Sequence, residues 1–326
     1  MSKKINWGII GCGFVAADIA AELNLLSDAE LVAVGSRTEE KAQNFAKRFC
    51  VEKYYGSYEE LVNDSNVDVV YIATQHPFHM NNALLGINAK KAVLCEKPFA
   101  MDYVQADKMR SASIKSNTFL MEAMRPRFLP VMYKIRQIIN NGEIGDILSL
   151  HADFGFITTQ GIDSRLFVKK LGGGALLDVG VYPISLASMI FKQQPDNIIS
   201  SATMGETNVD YQSSYIFNYA NGAIAILSSA ITANTRCGVF ISGTKGTIEL
   251  LPPFWRTGAA IVDIFRGNKR TIDIPFEGKG YSFIASEVND CLRNNKKQSD
   301  IMPLTESVEI MKTIDIIKEQ IGLQYS

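Results

Sequence analysis

Ile5-Asn6-Trp7-Gly8-Ile9-Ile10-Gly11-Cys12-Gly13-Phe14-Val15-Ala16 is the stretch on which the fold of this chain turns. An apolar run of strand length feeds into Gly11-x-Gly13-x-x-Ala16 and then, over residues 15–26, into a helical pattern. In such a unit the first glycine permits a tight turn and the second lets a pyrophosphate approach the backbone. A small third residue lets the helix lie close on the strand. The helix N-terminus, with its unpaired N–H groups, then faces the phosphates. Gly11, Gly13, Phe14 and Val15 are the expected phosphate contacts. A glycine turn alone is weak, since it also serves as a plain strand-to-helix connection. Its weight comes from the surroundings.

Short Val- and Ile-rich runs at 31–34, 67–73, 92–95 and 118–121 alternate with helical segments, which predicts a doubly wound parallel sheet. One helix, Glu39–Phe49, sets Ala42, Phe45, Ala46 and Phe49 on a single apolar stripe. Another opens at Ser57, with Glu60 completing a capping box. Beyond residue 122 the pattern changes. Pro126 and Pro130 introduce a helix over 131–139, ended by Asn140-Asn141-Gly142. Strand patterns follow at 146–157, 213–219, 223–230, 238–242, 247–251, 260–265 and 270–274. Asn221-Gly222 predicts a type I′ hairpin, and Thr244-Lys245-Gly246 another turn. These strands lack long crossovers, so a mostly antiparallel sheet with one open face is expected. An amphipathic helix over 304–321 closes the chain. The expected architecture is α/β: an N-terminal Rossmann domain over 1–122, then an α+β domain over 123–326.

The bulk numbers narrow the function classes. A chain of 326 residues exceeds the size at which single cores usually stop growing. Lys and Arg total 33 against 34 Asp and Glu, so there is no net positive field to hold nucleic acid or an anionic membrane. A small-molecule partner is expected. The first eight residues, Met1 to Gly8, offer two lysines but no leader-type apolar core. No uncharged apolar run nears the ~20 residues of a membrane span, and a cytoplasmic protein is expected. The five cysteines are scattered without a CxxC pair. Of the three histidines, His76 and His79 flank Pro77-Phe78, a poor ligand spacing, so no metal is expected.

At the end of the second strand pattern stands Gly35-Ser36-Arg37-Thr38, where an Asp or Glu would grip a ribose 2′-hydroxyl. A guanidinium there attracts a 2′-phosphate, which points to NADP over NAD through Ser36 and Arg37. Alternatively, Arg37 is an exposed charge at a helix start.

Three further blocks are Ala73-Thr74-Gln75-His76-Pro77-Phe78-His79, Cys95-Glu96-Lys97-Pro98, and Gly172-Gly173-Gly174-Ala175-Leu176-Leu177-Asp178-Val179-Gly180-Val181-Tyr182-Pro183. Over these residues, and nearly its whole length, the sequence resembles the Gfo/Idh/MocA oxidoreductase family. The Tyr182 variant is most similar to members acting on cyclic trans-diols and aldoses. The resemblance implies hydride transfer between a nicotinamide and a carbinol, which leaves a hydroxyl proton for a base to remove. Lys97, just past a parallel strand, sits at the sheet edge where ligands bind. The resemblance puts it on the reacting hydroxyl, and Glu96, Thr74, His76 and His79 near the cofactor. Both histidines have a bland alternative as loop-packing or helix-capping residues.

Many family members carry His where this chain has Tyr182. Tyrosine can do the same proton exchange if a cation such as Lys97 stabilises its phenolate. Asp178, four residues earlier, shares a face with Tyr182 if the stretch is a helix, and would orient substrate or backbone. Arg125 and Arg127 could bind substrate or neutralise Glu122, and Phe154 could line an apolar part of a pocket. Two other functions stay open: a sugar reductase of the anhydroketose type, and a non-catalytic NADP-binding sensor. The resemblance also implies a homodimer formed through the open face of the C-terminal sheet. The apolar alternation Tyr215, Phe217 and Tyr219, with Ile224 and Ile226 opposite, permits it.

Overall fold

A computed structural model describes residues 4–325, so the first three residues of the stretch read for a leader lie outside the described residues. The chain forms two compact units. The first runs to Arg125 and regains the chain over Gly278–Val308; the second takes Pro126–Glu277 and everything from Glu309. A division at 122/123 therefore meets the first boundary to within a few residues but assigns the returning segment to the other half.

In the first unit, β1 (Ile5–Ile10), α1 (Phe14–Leu23), β2 (Ala29–Gly35), α2 (Glu39–Phe49), β3 (Lys53–Tyr55), α3 (Tyr58–Asn63), β4 (Val69–Ile72), α4 (His79–Asn88), β5 (Ala92–Glu96), α5 (Tyr103–Ser116) and β6 (Leu120–Ala123) follow one another. The six strands are all parallel in the order β3-β2-β1-β4-β5-β6. Ile9, Ile10, Val69, Val70, Ile72, Val93 and Leu94 are fully buried. Strands covered on both faces must be apolar throughout, which is why they read as continuous runs. Each such side chain contributes roughly 1.5–3 kcal/mol by its burial. The Ser57 hydroxyl accepts from the Glu60 N–H at 3.1 Å, which forms the backbone half of the expected capping box. Strand order reverses between β1 and β4, and that reversal opens the crevice at their C-terminal ends.

The second unit holds α6 (Pro130–Asn140), β7 (Ile147–Gly155), α7 (Val181–Phe191), β8 (Asn197–Met204), β9 (Asp210–Asn218), β10 (Ile224–Ala230), β11 (Val239–Gly243), β12 (Gly246–Leu250), β13 (Ala259–Ile264) and β14 (Lys269–Asp273). Its eight strands order as β14-β13-β12-β11-β7-β10-β9-β8 and pair antiparallel except at β7–β10. The hairpin at Asn221-Gly222 exists, but its turn is not type I′. That turn needs positive φ at both central residues. Gly222 has φ +84° while Asn221 is not left-handed, and the Gly222 N–H donates to Tyr219 O at 2.9 Å. The result is a three-residue loop with the glycine in the left-handed position. On β9, Tyr215 and Phe217 face the core rather than the open side, as does Tyr219 just past its end; Ile216 stands outward between the first two. The segment Lys169–Phe191, which includes α7, is long and apolar enough to cross a membrane, but 89% of its apolar window is buried inside the fold.

The chain then returns to the first unit through α8 (Tyr281–Arg293) and ends with α9 (Leu304–Gln320). Three ties explain the return. The buried Trp7 indole N–H donates to Asn289 Oδ1 at 3.2 Å, and Asp28 accepts from Asn289 and pairs with Arg293. The Glu22 carboxylate accepts from the backbone N–H groups of Lys279 and Ser282, so an acidic side chain of α1 caps the start of α8.

Candidate functional site

The glycine turn after β1 has the geometry its sequence called for. Gly11 sits at φ +102°, and a Cβ there would lie 2.7 Å from the Ala73 carbonyl oxygen, where β1 and β4 diverge. Only glycine fits. Gly13 is the opposite case: nothing lies within 4 Å of where its Cβ would stand. It precedes α1 without a side-chain cap, so the first N–H groups of the helix are left to outside acceptors. Ala16 is fully buried under the helix, whereas Phe14 is 92% exposed. An uncapped helix start behind an open glycine fits a pyrophosphate group. Cys12, within the turn, is a neutral thiol, its pKa pushed by burial up to about 11. Beyond β2, Ser36 is buried and Arg37 exposed, two residues before α2.

The loops after β4 and β5 are joined by one imidazole. His79 is fully buried, with Nδ1 2.8 Å from the Pro98 carbonyl and Nε2 3.0 Å from that of Thr74. A neutral ring donates to one of them, according to its tautomer. Burial depresses the pKa of this imidazole, which favours the neutral form. So held, His79 braces the segments that carry Thr74 and Lys97. His76 lies buried with its ring 5.7 Å from that of His79. The Thr74 hydroxyl accepts from Asn82 at 3.1 Å. Glu96 is buried and accepts from the Tyr71 hydroxyl, and its carboxyl is raised above the usual range by burial. Lys97 follows it, half-buried, at the end of β5.

The two arginines fall in different units. Arg125 donates to the Lys279 carbonyl, and its guanidinium lies 4.9 Å over the Tyr281 ring, both in the returning segment of the first unit. Arg127, only 2% exposed, donates from Nε to Ser185 Oγ at 2.9 Å and from Nη2 to Ser185 O at 2.6 Å. It ties the start of the second unit to α7.

In the second unit, the glycine block leads into a π-helical turn, Leu176–Gly180, continued by α7. Asp178 lies in that turn and Tyr182 in the first turn of α7. The buried Asp178 carboxylate pairs with Arg165 at 2.7 Å. Nothing in the local pattern singles out Arg165, because it reaches Asp178 through a loop. The Tyr182 ring is 5.2 Å from that of Phe154, which stacks on Trp255 at 3.5 Å and 4°, with Phe254 and Phe156 around it. No motif marks Trp255 either, although one of only two tryptophans close after Pro252-Pro253 is a usable signal.

Comparison with known proteins agrees with both units. Residues 5–123 match the model of an oxidoreductase family with an NAD-binding Rossmann fold, GFO_IDH_MocA, and residues 132–249 match the GFO/IDH/MocA C-terminal domain. The chain is 38% identical over 331 residues to a trans-1,2-dihydrobenzene-1,2-diol dehydrogenase of Xenopus laevis, covering 98% of this chain and 99% of that protein. Its fold is similar to that of a levoglucosan dehydrogenase in complex with NADH and levoglucosan, at a TM-score of 0.88 and 21% identity over 98% of each chain. It is also similar to a 3-ketoreductase from Actinomadura kijaniata in complex with NADP and TDP-benzene, at 0.85 and 21%, again over 98% of each.

Proposed function

This chain belongs to the Gfo/Idh/MocA oxidoreductase family, and from that premise we propose that it is an NADP-dependent dehydrogenase of cyclic trans-diols or sugars. It is an oxidoreductase acting on CH–OH groups with a nicotinamide cofactor. When bound, the nicotinamide accepts or returns two electrons with the hydrogen of the carbinol carbon. The chain's own residues do the rest. Gly11, Gly13 and the first turn of α1 hold the pyrophosphate. Tyr182 takes the hydroxyl proton as the carbinol is oxidised, and Lys97 supplies the positive charge that stabilises the developing oxyanion. Asp178, held by Arg165, keeps the turn before Tyr182 in place.

The observation that carries the substrate class is the aromatic wall. A phenol at the edge of the stacked Phe154 and Trp255 rings suits a ring substrate that lays a flat apolar face on them and presents its hydroxyl to Tyr182. Assaying cyclic trans-diols, aldoses and inositols for cofactor reduction tests it. Turnover of a cyclic trans-diol or an aldose is the expected result. Tight NADP binding with no turnover of any of them would favour a sensor, and turnover only of ketosugars toward alcohol a reductase.

NADP is preferred to NAD because Arg37 is exposed beyond β2, free of the carboxylate that would repel a 2′-phosphate. Arg37→Ala should raise the Michaelis constant for NADP about 10- to 100-fold, the worth of a charge-assisted contact, and leave that for NAD nearly unchanged. An unchanged constant for NADP would remove Arg37 from the cofactor site. The five unpaired cysteines support a reducing, cytoplasmic setting.

A homodimer is proposed through the outward face of the eight-stranded sheet. Ile199, Ile216, Ile226, His151 and Phe240 stand in register across β8, β9, β10, β7 and β11, and the four apolar residues are 39–55% exposed. An apolar row of this kind is self-complementary about a two-fold axis. Sedimentation velocity should find dimers for the wild type and monomers for Ile226→Asp. Dimers in both would place the interface elsewhere.

A further inference from the structure

The π turn that precedes Tyr182 is held at both ends by one buried polar network on β9 and β10. At its start, the Leu176 N–H donates to Asp210 Oδ2 at 2.8 Å, and Asp210 is fully buried. The same Oδ2 accepts from the Ser213 hydroxyl at 2.8 Å. Ser213 continues to the Tyr215 hydroxyl at 2.5 Å and to Ser229 at 3.1 Å, and the last two are 2.8 Å apart. At the end of the turn, those same hydroxyls close on Gly180. A Cβ there would lie 2.8 Å from Tyr215 Oη and 2.9 Å from Ser229 Oγ. At the approach to the turn, Gly174 has φ +109°, and a Cβ there would lie 2.3 Å from Asp210 Oδ1. That oxygen is buried with no hydrogen-bond partner. Glycines 174 and 180 are thus required by the carboxyl at one end and the hydroxyls at the other.

We propose that Asp210 is a positioning residue for the reaction: with Ser213, Tyr215 and Ser229 it clamps both ends of the Leu176–Gly180 turn and so sets where Asp178 and Tyr182 stand.

A single helix turn with i to i+5 bonds is a strained insertion, found mostly where function requires it, and needs fixing from outside. An acceptor at its first N–H groups is the fixing that a helix start takes best. A buried carboxyl with one bare oxygen is costly, and burial lifts the Asp210 pKa to about 7. Such a group is retained against an apolar alternative where it specifies a geometry. Oδ1 faces Gly174, and Tyr325, whose own hydroxyl donates to Gly173 O at 2.6 Å, lies beside it.

The inference rests on the assignment of Tyr182 as the proton-exchanging residue, so the test runs Tyr182→Phe in parallel. Asp210→Ala should lower kcat about 10- to 100-fold, leaving the Michaelis constant and fluorescence-measured affinity for NADP within about twofold, because the cofactor turn lies in the other unit. Asp210→Asn, which keeps an acceptor for Leu176 N–H, should restore most of kcat. Tyr215→Phe keeps the ring in the core and removes the hydroxyl facing Gly180; it should lower kcat in the same way and serves if Asp210→Ala does not fold. A purely structural Asp210 would lower the melting temperature while folded enzyme kept its turnover. Wild-type kcat in Asp210→Ala or Tyr215→Phe, with Tyr182→Phe inactive, overturns the clamp and leaves the Tyr182 assignment standing. An active Tyr182→Phe overturns that assignment first, and the clamp with it.

Discussion

Replacing Tyr182 by Phe is expected to lower kcat by roughly 10²–10⁴-fold, the usual contribution of a positioned acid or base. The substitution is a narrow one. The ring stays, so its contact with Phe154 and the packing of the first turn of α7 are kept, and only the hydroxyl goes. Cofactor affinity should not change, because the phosphate cradle proposed on β1, α1 and the end of β2 lies in the other unit. If Tyr182 does its work only as the bond to hydrogen breaks, the loss falls on kcat and on kcat/KM alike. A variant that turns over at close to the wild-type rate would show that the phenol neither takes nor gives the proton.

The second large effect is expected at Lys97. Methionine matches its length without the charge, so Lys97→Met leaves the chain after β5 filled while removing the cation. A preorganised charge or donor at a developing oxyanion is worth about 10²–10³-fold in rate, and kcat should fall by that amount. Two groups that serve one proton transfer are not additive. The Lys97→Met/Tyr182→Phe double variant should be about as slow as the slower single variant rather than the product of the two losses. Fully multiplicative losses would mean independent roles, and a rise confined to the cofactor's Michaelis constant would make Lys97 a cofactor contact only.

What could be seen in the sequence follows the range of the forces involved. β1 and α2 were legible to the residue because a strand leading into a glycine turn and a 3.6-residue apolar stripe are local signals. β3 has three residues, and β8, Asn197–Met204, sets its two isoleucines side by side on opposite faces and then turns to Ser200-Ser201, so neither carries an alternation to read. α8 belongs to the first unit because Trp7 and Asp28 meet Asn289, a pairing across most of the chain. The inward face of β9 is illegible for a related reason: Tyr215 and Phe217 are as apolar as Ile216, and only the sheet's packing decides which side is inward.

The candidate site divides in the same way. Gly11, Gly13 and Arg37 sit in a contiguous pattern whose chemistry can be argued from spacing, and Lys97, Asp178 and Tyr182 in contiguous motifs that the family resemblance picks out. Arg165, Trp255 and Asp210 act through loops or neighbouring strands, at separations where sequence carries no geometric information. The π turn is a backbone register rather than a pattern of residues. Its register shows only in the backbone bonds, and its Leu176 N–H leads to the network behind it.

The central claim, transfer of hydrogen from a ring carbinol to a nicotinamide by this chain, is tested most directly by following the label. The enzyme is incubated with NADP and a cyclic trans-diol carrying deuterium on its carbinol carbons, and the reduced cofactor is analysed by mass spectrometry. The expected result is a reduced cofactor that carries the deuterium. Reduced cofactor without the label, or none from any diol or sugar despite saturated cofactor binding, would contradict it.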